Sequence, residues 1–277
     1  TALQDKLRVA KQNKLLPKVV IPVHLAGQSC DMAAINKLAK EYGFKVIEDA
    51  SHAIGAKYKN KPVGNCSYSN ITVFSFHPVK IFTSGEGGVL VTNNKSYYEK
   101  ALMLRNHGIT RDKKRYYYKK NNSIYYEQQI LGYNYRLSDL HAALGSSQLK
   151  KIHIFEKLRF KIKKRYDQKL NKLPLLFPKY KNTNFSNHLY IVLIDPTKTK
   201  KKRDSLIEFL NKKMITTSVH YIPIHKQPYY KKYNFLSKNF RNSNFYYNNA
   251  ISLPIFPYLT TEKQNYIIKC IEKFFQK

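Results

Sequence analysis

The chain has 277 residues, 43% of them hydrophobic, and a formal net charge of +33, enough for a substantial core in one large α/β domain or in two packed domains of unequal size. No apolar run approaches the roughly 20 residues of a membrane-spanning helix, no signal-peptide pattern opens the chain, and the three distant cysteines, Cys30, Cys66 and Cys270, show no metal-ligand spacing and fit a reducing cytoplasm. The charge comes from lysines spread along nearly the whole chain, with arginine the minority cation, which is a biased composition rather than a dedicated nucleic-acid or anionic-membrane surface.

Residues 18–26 (KVVIPVHLA) read as a buried strand ended by Gly27. Asp31 is a helix N-cap, apolar positions from Met32 to Tyr42 follow at helical spacing, and Gly43 stops the helix. A second strand covers 44–50, and the strand–helix–strand order predicts a parallel sheet with crossover helices. Further strands fall at 70–76 and 88–92, and a helix at 96–106. Residues 111–127 are basic, tyrosine-rich and aperiodic, a long surface loop or flap. Residues 138 to about 173 are helical and bridge two parts, 1–140 and 141–277, the second a smaller α+β domain. In it, 188–195 is a strand, 204–214 a helix and 216–222 another strand. Thr261 and Gln264 form a capping-box pattern before an amphipathic final helix.

Asp49 sits where the strand at 44–50 runs out, the place where open α/β sheets hold ligand-binding groups. Taken alone it is a helix cap, a metal ligand or the partner of a protonated heterocyclic nitrogen, the cap being the commonest. His52 is equally open. Lys80 follows a buried strand, where an amine is costly unless paired or covalently used. The glycines of 85–88 beyond it allow close backbone approach, or simply a tight hairpin with a solvated lysine.

Together the motifs are far more specific. E-D-A-S-H-A at 48–53, S-F-H-P-V-K at 75–80, G-E-G-G at 85–88, R-N-H-G-I at 105–109 and G-Y-N-Y-R-L at 132–137 resemble the DegT/DnrJ/EryC1/StrS sugar aminotransferases. S-N-H-L-Y at 186–190, V-H-Y-I-P at 219–223 and S-L-P at 252–254 extend the resemblance over essentially the whole chain. The resemblance implies an α/β fold of the fold-type-I class, with a mostly parallel-sheet large domain and a smaller C-terminal domain, and pyridoxal 5′-phosphate as cofactor. It implies that Lys80 bonds covalently to the cofactor aldehyde, Asp49 faces the pyridine nitrogen, His52 binds the ring oxygen and Ser75 the phosphate. Asn134 matches an asparagine that, in the family's homodimer, reaches the phosphate of the other subunit's cofactor. His220, Tyr221 and His225 match a segment near the sugar-nucleotide end of the cleft, or are ordinary polar residues of a small-domain sheet; His77, within the lysine motif, is a further substrate-facing candidate. No metal is implied.

The substrates implied are a nucleotide-linked keto-sugar and L-glutamate as amino donor. Residues 20–29 with the two lysine-side motifs look most like the subgroup that aminates the C4 keto group of UDP-4-keto-6-deoxy-N-acetylhexosamines for pseudaminic acid; siblings acting on other keto-sugars share the catalytic residues. Dehydratases of the family carry histidine in place of Lys80. The Gly/Ser-Thr phosphate loop that family members carry before this region has no match in residues 1–20, which resemble the helix before the first strand. The expectation is therefore a family member without its N-terminal portion, as a fragment or as an inactive truncated form, that binds the cofactor weakly or not at all.

Overall fold

The computed structural model describes residues 1–118, 123–178, 185–233 and 237–276. It divides into two compact units: residues 1–25 with 29–151, and residues 26–28 with 152–277.

The first unit opens with helix α1 (Ala2–Gln12), where Thr1 and Gln4 form a reciprocal capping box. After strand β1 (Val19–Val20) comes helix α2 (Met32–Tyr42). Asp31 accepts the Ala34 N–H at its start, and Gly43 closes it in the left-handed conformation, φ 80°. Leu7 of α1 packs on Met32, Leu38 and Ala39 of α2 and on Phe44 and Val46. Burying each of the larger side chains contributes about 1.5–3 kcal/mol. Strand β2 (Lys45–Asp49) pairs in parallel with β1 and with β5 (Ile71–Ser75), while β3 (Lys57–Tyr58) and β4 (Lys61–Pro62) form a small hairpin between them in sequence. Strand β6 (Gly88–Val91) adds antiparallel to β5, giving the order β1-β2-β5-β6. The expected buried strand over 18–26 is mostly not one: β1 is two residues long, and Val19, Ile21 and Val23 are exposed. Pro22 has no N–H to give to a ladder, so pairing resumes only as a bridge between Val23 and Asp49.

Helix α3 (Lys95–Arg105) is capped by Asn94, whose side chain accepts the Tyr97 N–H. Strands β7 (Ile109–Thr110) and β8 (Glu127–Gln128) pair at the base of the tyrosine-rich loop; within that loop, 119–122 lie outside the described residues. Glu127 gathers it, accepting the N–H groups of Tyr117 and Tyr118 and the Tyr125 hydroxyl.

The segment 138–173 holds two helices rather than one. Helix α4 (Asp139–Leu149), capped by Ser138, belongs to the first unit, and α5 (Ile152–Leu170) to the second. In the second unit β9 (Leu175–Leu176), β10 (Tyr190–Ile194) and β11 (Ala250–Leu253) form an antiparallel sheet in the order β11-β10-β9. Its core joins Ile162, Tyr166 and Leu170 of α5 with Leu206 and Leu210 of α6 (Arg203–Asn211), and Ile267, Ile268 and Ile271 of α8 (Thr261–Gln276). Helix α7 (Arg241–Asn249) leads into β11. Buried Arg159 donates to the carbonyls of His188 (3.1 Å) and Ile255 (3.0 Å); burial lowers its pKa to about 10, so it stays cationic at neutral pH.

Two expectations fail here. Residues 216–222 form no strand: β-branched character does not suffice, and of this run only Ser218 bridges the outer edge of β11, at Ser252. The last helix is capped by Thr260, whose Oγ1 accepts the Lys263 N–H at 3.3 Å; Gln264 instead donates its buried amide to the Ile162 carbonyl at 2.8 Å. Among the described residues no helix is long and apolar enough to cross a membrane.

Candidate active site

Side chains alternate across a sheet, so residues two apart share a face. In the β2/β5 register Asp49 lies beside Val73, which puts Asp49 and Ser75 on one face at the carboxyl ends of two parallel strands. Ligands of open α/β sheets bind at such strand ends. The half-buried Asp49 accepts the Ser51 N–H at 3.0 Å, so it caps a turn and not a helix. Ala50, Ala53 and Ala56 are packed with Phe74 and Val63, and their small size draws the 50–56 turn against β5. His52 is buried within that turn.

The connection from β5 to β6 carries Lys80. The Phe76 carbonyl accepts the Ser84 N–H (3.1 Å) and the Thr83 hydroxyl (2.8 Å), closing a loop of seven residues, 77–83. Ile81 and Phe82 are buried behind the tip, with the Phe82 ring 4.9 Å from that of Phe76. Lys80 N–H donates to the His77 carbonyl at 2.9 Å. The side chain of Lys80 is half-buried. Burial holds its amine below the ordinary lysine range, while the nearby Asp49 carboxylate opposes that shift. Ser75 Oγ accepts the His77 N–H at 3.4 Å, and His77 itself is exposed, its Nδ1 accepting the Val79 N–H at 3.3 Å. Asp49, His52, Ser75, His77 and Lys80 thus occupy two strand ends and the turns that follow them.

Asn134 is exposed and held by its backbone. The segments 105–109 and 132–137 lock together: His107 N–H donates to Tyr133 O (2.7 Å), Tyr135 N–H to Arg105 O (2.9 Å), and Asn134 bridges Asn106. Gly132 and Gly108 make this possible. A Cβ on Gly132 would lie 2.1 Å from the Gly108 nitrogen, and one on Gly108 1.8 Å from the Ile130 carbonyl. We expect Gly132→Ala to destabilise the protein by about 1–3 kcal/mol, read as a lowered thermal midpoint; an unchanged midpoint would show that the two segments are not rigidly joined.

The remaining candidates lie in the second unit. His220 Nδ1 is 2.8 Å from Ser252 Oγ, Tyr221 is exposed, and His225 Nε2 is 2.9 Å from Asn244 Oδ1 with its ring stacked on Phe240. Tyr246, absent from the sequence reading, joins this group. Burial raises its hydroxyl to about 12, Tyr221 adding to the shift.

Sequence reasoning also passed over the other face of the first sheet. There His24, fully buried, faces Glu48 with Nε2 to Oε2 at 2.8 Å. Burial pushes Glu48 upward, but hydrogen bonds from His24, Ser69 and Thr72 outweigh it and hold the carboxyl below its ordinary range. A histidine and a glutamate inside apolar runs, P-V-H-L and V-I-E-D, were the available signal. Among the described residues no cluster of three metal-ligating side chains occurs.

The sequence matches the DegT/DnrJ/EryC1/StrS aminotransferase family over residues 6–272. It is 36% identical over 258 residues to the spore coat polysaccharide biosynthesis protein SpsC of Bacillus subtilis, covering 92% of this chain and 66% of that one. The structure is similar to Helicobacter pylori PseC, an aminotransferase of pseudaminic acid biosynthesis, with a TM-score of 0.84 and 31% identity over 95% of this chain and 69% of that one. It is also similar to Streptococcus pneumoniae Spr1654 in its PLP form, with a TM-score of 0.81 and 28% identity over 94% of this chain and 68% of that one; a PMP form of the same protein is known too. The chain spans 66% of the length of the curated relatives it matches.

Proposed function

This chain belongs to the DegT/DnrJ/EryC1/StrS aminotransferase family, whose members use pyridoxal phosphate, and from that membership we propose that it moves an amino group from L-glutamate to the keto group of a nucleotide-linked sugar. The observation that carries the reading is the half-buried Lys80, lowered in proton affinity and close enough to Asp49 to feel its charge.

The donor set suits the cofactor. A carboxylate fixed at a strand end matches a protonated ring nitrogen, an amine with lowered proton affinity matches an aldehyde, and the Ser75 hydroxyl matches a phosphate oxygen. When bound, pyridoxal phosphate supplies an aldehyde that condenses with amines and a ring that takes up the electron pair left when a carbon loses its proton. Asp49 holds the proton on the ring nitrogen by charge. Lys80 Nζ, whose proton affinity burial lowers, takes the proton from the donor's Cα. His52 orients the ring through its oxygen, and Asn134, exposed on this chain, reaches the phosphate held by a second copy, so that two-fold pairing completes each site. The two half-reactions share one site, and ping-pong kinetics follow.

For the sugar, the likeness to PseC supports a UDP-4-keto-6-deoxy-N-acetylhexosamine aminated at C4, as in pseudaminic acid synthesis. The likeness to SpsC, a spore coat polysaccharide biosynthesis protein, leaves a second reading, a different nucleotide keto-sugar. Formation of 2-oxoglutarate from glutamate, measured with each class of keto-sugar, separates them: turnover with the UDP-N-acetylhexosamine alone upholds the first, and turnover with another keto-sugar alone upholds the second. Alanine substitution of His220, Tyr221 or His225 is expected to raise KM for the sugar nucleotide roughly 5–20-fold, a lost hydrogen bond of about 1–2 kcal/mol, and to leave that for glutamate unchanged. Equal effects on both would make the three residues structural.

A further inference from the structure

Strand β2 presents Asp49 on one face and Glu48 on the other. Glu48, His24 and Thr72 are all buried. Glu48 Oε1 accepts the Thr72 hydroxyl at 3.2 Å and the Ser69 hydroxyl, while Oε2 faces His24 Nε2 at 2.8 Å. Burial lowers the proton affinity of His24, but its contacts with Cys30 and Glu48 outweigh that and raise its pKa to about 9, so Nε2 carries a proton and donates to Glu48, while Nδ1 lies 3.2 Å from the Cys30 nitrogen. Each side-chain group in this chain of contacts has a partner. Apolar residues of similar volume would stabilise a sheet face at least as well as a buried charge, so stability alone does not account for it.

What the pair touches gives it a task. The backbone N–H of His24 donates to the Asp49 carbonyl at 3.0 Å, and the Asp49 N–H donates to the Pro22 carbonyl at 2.9 Å. Residues 22–24 thus grip the backbone of Asp49 on both sides, just where Pro22 has interrupted the ladder. The His24 ring passes to the other face and fastens the adjacent residue, Glu48. Fixing residues 24 and 48 fixes the pleat between 48 and 49, and with it the direction in which the Asp49 carboxylate leaves the sheet. Ser51 N–H then fixes that carboxylate from the turn side, at 3.0 Å.

We propose that His24 and Glu48 are a positioning pair for Asp49, holding its carboxylate where it meets the ring nitrogen of pyridoxal phosphate. The inference rests on the function proposed above. It attributes to residues on the far face of the sheet an effect on cofactor binding that acts through one other side chain.

A double-mutant cycle on cofactor affinity tests it, read by absorbance titration of the purified protein with pyridoxal phosphate and not by turnover. Glu48→Gln keeps the size and removes the charge; it is expected to weaken binding about 10-fold, as loss of a partner that orients a binding group does. Asp49→Asn weakens binding by itself, and Glu48→Gln added to it is expected to cost less than about 2-fold more, because coupled residues are not additive. A full 10-fold further loss in the double variant overturns the inference, since it shows Glu48 acting on the fold at large. Ser69→Ala, which removes one hydroxyl from Glu48, is the gentler variant should Glu48→Gln not fold. A loss of about 3-fold that disappears in the Asp49→Asn background supports the pairing, and unchanged affinity or a loss that persists overturns it. Wild-type protein that binds no cofactor overturns the proposed function and this inference together, whereas wild-type binding with additive losses overturns the inference alone.

Discussion

Borohydride reduction of the protein loaded with pyridoxal phosphate, followed by peptide mapping, is expected to leave the cofactor on Lys80 alone, and Lys80→Ala to lower transamination by at least about 10²–10⁴-fold, the range a positioned general acid–base contributes. The chain has many lysines, so selectivity needs a physical cause. Lys80 is half-buried on a loop anchored by Ile81 and Phe82, and burial lowers its affinity for a proton. At any pH below the ordinary lysine value it holds more neutral amine than a solvated lysine does, and only the neutral amine attacks an aldehyde. An amine-directed electrophile at pH 8, without cofactor, is therefore expected to label Lys80 faster than exposed Lys57. Label on another lysine, or an Ala variant that still turns over, would remove Lys80 from its proposed role.

The parts of the fold that sequence made legible are those where a local signal and its structural cause are the same thing. Asp31 and Gly43 bound α2 because a carboxylate can accept an N–H at one end and a residue without Cβ can turn left-handed at the other. Asp49 and Lys80 were singled out by motifs that are specific only in combination. The misses have a common origin in partners distant along the chain. Val19, Ile21 and Val23 have strand-forming side chains, yet Pro22 interrupts their ladder and they stand exposed. Thr216, Thr217 and Val219 have the same β-branched character, yet only Ser218 finds the Ser252 edge. Thr261 and Gln264 have the spacing of a capping box, but the Ile162 carbonyl, roughly a hundred residues earlier, claims the Gln264 amide. His24 and Glu48 were passed over because their meaning lies in the register that brings them to 2.8 Å.

Asp49→Asn is the second change with a large expected effect, and it separates charge from shape. Asparagine keeps the size of the side chain and an oxygen that can accept the Ser51 N–H, so the turn at 50–53 and the overall fold are expected to persist. What disappears is the negative charge. In the proposed site that charge holds a proton on the ring nitrogen, and its removal is expected to slow transamination roughly 10²–10³-fold, as loss of one preorganised electrostatic contact does. A second consequence runs the other way. The Asp49 carboxylate raises the proton affinity of Lys80 against the effect of burial, so neutralising residue 49 lowers the Lys80 pKa further. More of the amine is then neutral at a fixed pH, and cofactor-free labelling of Lys80 by an electrophile is expected to speed up while turnover collapses. Loosened packing would instead hasten labelling of many buried groups and lower the thermal midpoint, which the same sample reports. Wild-type turnover in Asp49→Asn would count against the pairing with the ring nitrogen, and a Lys80 labelling rate that stays put would show that the two side chains do not act on one another.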